Sequence, residues 1–204
     1  VAWFNGVIAV LGLKPSIFFK RFGEFLAISR GADFTESDLD DRDVWNLQRE
    51  FLMLNFSTMR LKRFQPLVLD LVDYHYHYAS ALLAPRTALP NRLNKKQILL
   101  ETPLRKAPSL QMARFHYEIM DIIEAGAPDI RWMSEHLEPY GSSAAIYPRG
   151  DSVCTQSIDD SYFILLDSLD GQTNAGVLAS KLGISAEDAS EFLGFAVREG
   201  FVVY

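Results

Sequence analysis

Along the first 84 residues, apolar side chains recur every three or four positions, the spacing of one face of an α-helix. Phe18, Phe22 and Phe25 form one such stripe. It opens at Lys14-Pro15-Ser16, where proline fits a first turn, and closes at Gly31. A second stretch starts with Glu36, Asp38, Asp40, Asp41 and Asp43, charges that suit a helix N-terminus, and continues as Val44, Leu47, Phe51 and Leu54. The third stripe is the longest. Leu61, Phe64, Val68, Leu71, His75, Tyr78 and Leu82 repeat until Pro85 stops it. Residues 1–84 are expected to form an N-terminal helical bundle.

The texture then changes. Residues 85–141, with Pro85, Pro90, Pro103 and Pro108, read as a surface connector with one or two strands and a short helix. An extended piece is expected over Gln97 to Glu101. Phe115, Tyr117 and Ile119 alternate with His116, Glu118 and Met120, which favours a strand, with a helix as the alternative. Asp129 to Leu137 reads as a short helix. Residues 142–204 form a third segment. Ala144–Tyr147 and Ser152–Ser157 flank Pro148-Arg149-Gly150-Asp151, a hairpin-turn composition. Asp159 is placed to cap a helix carrying Phe163, Leu166 and Leu169, ended by Asp170-Gly171. Thr173 is placed to cap a second, with Val177 and Leu178. Ser185 and Asp188 have capping-box spacing before a third, which buries Ala189, Phe192, Leu193 and Ala196 and ends at Gly200. A closing strand, Phe201 to Tyr204, is expected to pair with the hairpin. The fold class is therefore mainly α (α+β), a helical bundle followed by a winged-helix-like module with a small antiparallel sheet.

Composition narrows the class. Of 204 residues, 49% are apolar, enough to build a core for one domain or two small ones. One cysteine, Cys154, leaves no disulfide within the chain and no cysteine-held zinc or iron–sulfur site supplied by it alone. The longest apolar run, Val1 to Leu13, is about half a membrane span, holds Asn5 and has no basic residue before it. It is read as neither a signal peptide nor an anchor, so no membrane contact and a cytoplasmic location are expected. A start at Val1 is read as a fragment of a longer protein. The net charge of −6 is uneven. Residues 151–204 carry nine acidic and two basic side chains, leaving seventeen acidic and eighteen basic in residues 1–150. Phosphate backbones are bound through Lys and Arg, so a winged helix this acidic is expected to face a protein, preferably a basic one, and not nucleic acid.

The segment richest in candidate chemistry is Asp73-Tyr74-His75-Tyr76-His77-Tyr78. On a helix, His75 continues the apolar stripe, while His77 shares a face with Asp70, Asp73 and Ser80. Asp73 and His77 stand at i, i+4, where a carboxylate can orient or charge an imidazole. A ligand or metal site built on Asp73, His75 and His77 competes with a plainer account, a core-edge histidine among packed tyrosines. A metal would need further ligands, and the spacing of His116 or His136 supplies no recognised pattern. Cys154 reads as a structural thiol. Arg60, Lys62 and Arg63 read as a solvated helix start. Arg92, Lys95, Lys96, Arg105 and Lys106 are placed to meet the acidic C-terminal segment. Arg131, Trp132 and His136 are candidate interface anchors. No Gly-rich phosphate loop, GxSxG or HExxH occurs, so no catalytic or metal residue is assigned.

The run from Asp160 through Leu169-Asp170-Gly171, then Leu178 to Gly183 and Ala189 to Val202, is similar to the winged-helix precursor-recognition modules of radical SAM peptide-modifying enzymes. More broadly, Val68-Leu-Asp-Leu-Val-Asp-Tyr-His75, the strand-like segment from Phe115 to Ile123 and the tail resemble the C-terminal accessory region of cobalamin-binding radical SAM proteins. That group includes proteins described as anaerobic Mg-protoporphyrin IX monomethyl ester cyclases. The family's Cys-x3-Cys-x2-Cys and Asp-x-His-x-x-Gly patterns are absent from the chain. The resemblance implies a non-catalytic region that positions a substrate or partner. The iron–sulfur cluster, S-adenosylmethionine and cobalamin would be held elsewhere in the parent. The partner would be the parent's catalytic barrel or a protein or peptide substrate. Asp73, His75, His77 and Tyr78 are the expected polar–aromatic patch, and Phe192 and Phe201 the expected lining of the module's groove. A small metal- or ligand-binding protein and a winged-helix transcriptional regulator are the alternatives.

Overall fold

The computed structural model describes Lys14, Ser16, Ile17, Lys20, Phe22, Glu24, Phe25 and residues 41–56, 64–85, 96–126 and 130–203. The expected features at Pro15, Phe18, Gly31, Arg60 to Arg63, Arg92 and Lys95 lie outside them. In chain order the elements are α1 (Asp41–Phe56), α2 (Gln65–Leu83), α3 (Lys96–Glu101), β1 (Pro103–Lys106), β2 (Gln111–Phe115), α4 (Ile119–Glu124), α5 (Ile130–His136), β3 (Ser142–Arg149), β4 (Ser152–Ile158), α6 (Asp160–Ser168), β5 (Asp170–Asn174), α7 (Ala175–Lys181), α8 (Ala186–Glu199) and β6 (Val202–Val203). The class is α+β. No helix among the described residues is long and apolar enough to cross a membrane. The chain divides into two compact units: residues 1–79 with 115–141, and residues 80–114 with 142–204.

In the first unit, Phe22 and Phe25 are helical, as the spacing predicts. Their rings meet Phe51 of α1 at 5.3 and 5.4 Å. The α1 stripe is shifted from the expected one. Leu47, Gln48, Phe51 and Leu52 are buried, whereas Leu54 is 54% exposed. At about 100° per residue the buried arc centres between Gln48 and Phe51, and Leu54 falls about 90° off that centre. In α2, Leu67, Val68, Leu71 and Val72 are buried. Leu82, expected in the stripe, is exposed, and Ala79 and Ala81 take the buried positions near the helix end. The stretch after Phe115 is not a strand. It turns into α4, where the Glu118 carboxylate accepts the Met120 N–H at 3.1 Å.

The second unit is organised by β1, which lies between β5 and β6 in an antiparallel sheet. Residues 96–114, expected as part of a surface connector, contribute to the core of this unit: Leu99, Leu104, Ala107 and Leu110 are buried with the C-terminal helices. Gln97 to Glu101 is helix α3 rather than extended, and the strand follows it. Ile98-Leu99-Leu100 is too short a run to reveal a period, so helix and strand look alike in it. The closing strand β6 is also redirected. It pairs with β1, Arg105 opposite Val203 and Lys106 opposite Val202, not with the hairpin. The helix expected to end at Asp170-Gly171 does stop just before it, at Ser168 with Leu169 as C-cap, and Asp170 opens β5. There the Asp170 carboxylate accepts the Gln172 and Thr173 N–H groups at 2.7 and 2.8 Å.

The locally coded parts match expectation. β3 and β4 form the hairpin, with Gly150-Asp151 as its two-residue turn and Gly150 at φ +59°. In the other sheet the order is β2-β3-β4. Ser185 accepts the Asp188 N–H at 3.1 Å and starts α8, which Gly200 ends at φ +77°. Helix α7 departs in detail. Its N-cap is Asn174, and Val177 is 48% exposed while Ala175 and Ala179 are buried. Small residues face inward because α3 approaches closely: a Cβ on Gly176 would stand 3.0 Å from the Leu100 carbonyl oxygen.

Gly176 therefore gives a test. Gly→Ala inside a helix ordinarily stabilises by about 1 kcal/mol. Here Gly176→Ala is expected to destabilise by roughly 1–3 kcal/mol, because the new methyl meets backbone. Urea denaturation measures it, and a gain in stability would refute the close approach.

Candidate functional site

The polar–aromatic run of α2 lies in the first unit. Its side chains divide among different partners. Asp73 pairs with Arg49 of α1 at 2.7 Å. The Arg49 guanidinium also lies 5.3 Å from the Tyr76 ring centroid, and the Tyr76 hydroxyl donates to Asn46 at 2.7 Å. His75 is half-buried, and its Nδ1 lies 2.7 Å from the Leu71 carbonyl oxygen one turn back. Burial pulls the His75 pKa below the ordinary 6.5, against the raising effect of that hydrogen bond. The His77 ring meets Tyr76 edge-on at 5.3 Å, and the Tyr78 ring lies 6.0 Å from Tyr74. Among the described residues no three His, Cys, Asp or Glu side chains converge as a metal-ligand set.

The best-organised polar constellation is built on a neighbouring residue. Asp70 is 2% exposed, one turn before Tyr74 on α2. Its Oδ2 accepts the backbone N–H groups of His116 and Tyr117, both at 2.8 Å. Its Oδ1 lies 2.8 Å from His116 Nδ1. A buried carboxylate must be paired, and these three donors satisfy it. Burial raises the Asp70 pKa, opposed by the hydrogen bonds and charge of His116 and the Tyr117 N–H. The His116 side chain is 56% exposed. The chain around it is held twice more: the Gly141 N–H donates to the His116 carbonyl at 2.8 Å, and the Phe115 ring meets Tyr74 at 6.4 Å. The result is a buried carboxylate behind an accessible imidazole.

The sequence places Asp70 on one helix face with Asp73, His77 and Ser80, and the spacing of His116 supplies no recognised metal pattern. A signal for Asp70 existed. It lies at i, i+3 from Leu67 and next to Leu71, so helical geometry places it in an apolar arc, where a carboxylate demands a partner. Nothing local to residue 70 says that the partner is residue 116.

The second unit holds the other candidates. Phe192 is 8% exposed and stacks on Tyr162 at 4.2 Å with 10° between the planes. Burial and the nearby Asp188, Asp159 and Glu191 carboxylates raise the Tyr162 pKa. Phe201 is fully buried against Tyr147 and Phe195, at 4.6 and 5.5 Å. It is therefore a core residue and presents no surface to a ligand. Cys154 is partly buried opposite Tyr147, whose hydroxyl donates to Glu199 at 3.1 Å. Lys106 meets Asp167 at 2.7 Å, so one of the basic residues before position 107 does engage the acidic tail. In the first unit, Trp132 is 40% exposed and stacks on His136 at 4.4 Å, 9° from parallel. No family model and no curated protein matches this sequence.

His75 makes stability pH-dependent with a defined sign. The fold favours its neutral form, so below the ordinary pH 6.5 the unfolded chain binds the proton more readily and stability falls as pH falls. One proton limits the slope to about 1.4 kcal/mol per pH unit. Against His75→Gln, the wild type is expected to lose stability between about pH 7 and 5. Parallel urea-denaturation curves for the two chains would contradict the burial of a neutral ring.

Proposed function

We propose that this chain is an accessory, partner-positioning region of a cobalamin-dependent radical SAM enzyme, of the group that includes Mg-protoporphyrin IX monomethyl ester cyclases, and that its second unit is a winged-helix-like recognition module. The family part of the reading rests on the sequence resemblance. The order α6, β5, α7, α8, β6 supports the module, with β5 and β6 flanking β1. In this reading the iron–sulfur cluster, S-adenosylmethionine and cobalamin belong to the parent's catalytic part, and the location is cytoplasmic.

The observation that carries partner recognition is the place of β4. Among the described residues it is an edge of the sheet β2-β3-β4, seven residues long, with its side chains half-buried or exposed. An edge strand can pair with an extended peptide through an outward N–H, here that of Val153, and neighbouring side chains select it. Arg149 and Ser152 close the two-residue turn as a hydrogen-bonded pair. By the alternation of an antiparallel ladder, the Val153 N–H then points away from β3. Exposed Asp159, Asp160, Glu187, Asp188 and Glu191 favour a basic peptide.

Two outcomes test this. In fluorescence polarisation an extended lysine-rich peptide is expected to bind, and Val153→Pro, which removes an outward N–H without breaking the hairpin ladder, to weaken it about tenfold. Equal binding by a folded Val153→Pro chain would reject strand addition. Anaerobic reconstitution with iron and sulfide is expected to leave the chain without cluster absorbance; a visible charge-transfer band would overturn the division of labour with the parent.

A further inference from the structure

We infer that Asp70 and His116 form a surface nucleophilic dyad whose His116 Nε2 accepts an acyl group from an activated ester or anhydride. The geometry has three parts. The carboxylate is fixed: two backbone N–H groups at 2.8 Å hold Oδ2, so Asp70 cannot turn away from the ring. The ring is aimed: Nδ1 lies 2.8 Å from Oδ1, which selects the tautomer with the proton on Nδ1 and the lone pair on Nε2. The reactive nitrogen is reachable: the imidazole is 56% exposed, and its described hydrogen bonds all run through Nδ1 and the backbone. A buried carboxylate that orients an imidazole also stabilises the positive charge the ring gains when it attacks.

The chemistry balances without a co-reactant beyond water. The Nε2 lone pair attacks the acyl carbon, the bond from that carbon to the leaving oxygen breaks, and the leaving group departs as an alkoxide or phenoxide from an ester, or as a carboxylate or alkyl carbonate from an anhydride. The ring becomes an N-acylimidazolium with its Nδ1 proton still against Asp70. Water then attacks the acyl carbon and the carboxylic acid leaves. The neutral imidazole returns, and the released proton goes to the leaving group. The acyl donor meets the ring from the exposed side of the imidazole.

The chain carries its own control. His136 is also exposed, but its Nδ1 faces a neutral carbonyl, that of Trp132 at 2.8 Å. Diethyl pyrocarbonate, followed by mass-spectrometric mapping on the intact chain, gives a rate for each histidine. His116 is expected to react about tenfold faster than His136 and than N-acetylhistidine, and Asp70→Asn to abolish that excess. Equal rates for His116 and His136, or an excess that survives in a folded Asp70→Asn chain, would overturn the proposal. Should Asp70→Asn fail to fold, His116→Gln decides, since its side chain is at the surface. With p-nitrophenyl acetate it is expected to lose most of the chain's hydrolysis, and unchanged hydrolysis would refute the assignment.

Discussion

The second unit depends on strand β1, four residues from the middle of the chain bonded on both sides by strands from the C-terminal segment. Without it, β5 and β6 have no common partner, since neither neighbours the other. Its inward side chain, Leu104, is fully buried, and the Ala107 N–H that follows it bonds the Phe201 carbonyl at 2.8 Å. The long connections this pairing closes are not its main cost, because loop-closure entropy grows only slowly with length. The stabilisation comes from burying Leu99, Leu104, Phe201 and Val202 in one cluster. A strand so short holds its register through such burial more than through its few backbone bonds.

That constraint also decides which residues share a charge environment. Residues 151–204 alone hold nine acidic and two basic side chains. Residues 80–114 bring seven basic and one acidic, and Arg149 one more basic, so the unit as a whole holds ten of each. The pairing of Lys106 with Asp167 is one local expression of this balance. It is a half-exposed pair of small energetic weight, so its interest is in placement more than in stability.

What was legible in the sequence follows the range of the interactions. The hairpin β3–β4, the capping of α8 by Ser185 and its Gly200 stop are each written within a few residues, and each is found. The same holds for the helix around Ile130 to His136. Elements defined by distant partners are not written locally. β5 looked like a helix terminator because Asp170-Gly171 is a turn composition, and only β1 makes it a strand. α3 looked extended because three apolar residues carry no period. The site shows the same division. Asp73, His75 and Tyr78 attracted notice because histidines and tyrosines crowd one stretch, yet their contacts are largely with their own helix and its neighbour α1. The role of Asp70 is not legible locally, because its partner His116 lies 46 positions away.

The balance of charge in the second unit bears on what can approach it. A net count of the tail overstates its repulsion of a phosphate backbone, since the whole unit is neutral. What a partner meets, however, is the local field, and exposed charges act over a Debye length of about 8–10 Å. Glu187, Asp188 and Glu191 lie within four residues on α8, about 6 Å of helix rise, and all are exposed. Asp159 adds to the same neighbourhood, since it acts with Asp188 and Glu191 on Tyr162. An approaching phosphate would be repelled by these carboxylates at short range. Helix α8 is headed by negative charge, with Glu187 and Asp188 in its first turn, and neutrality of the whole does not remove it. The partly exposed Tyr162 ring, stacked on the buried Phe192, lies beside the same carboxylates.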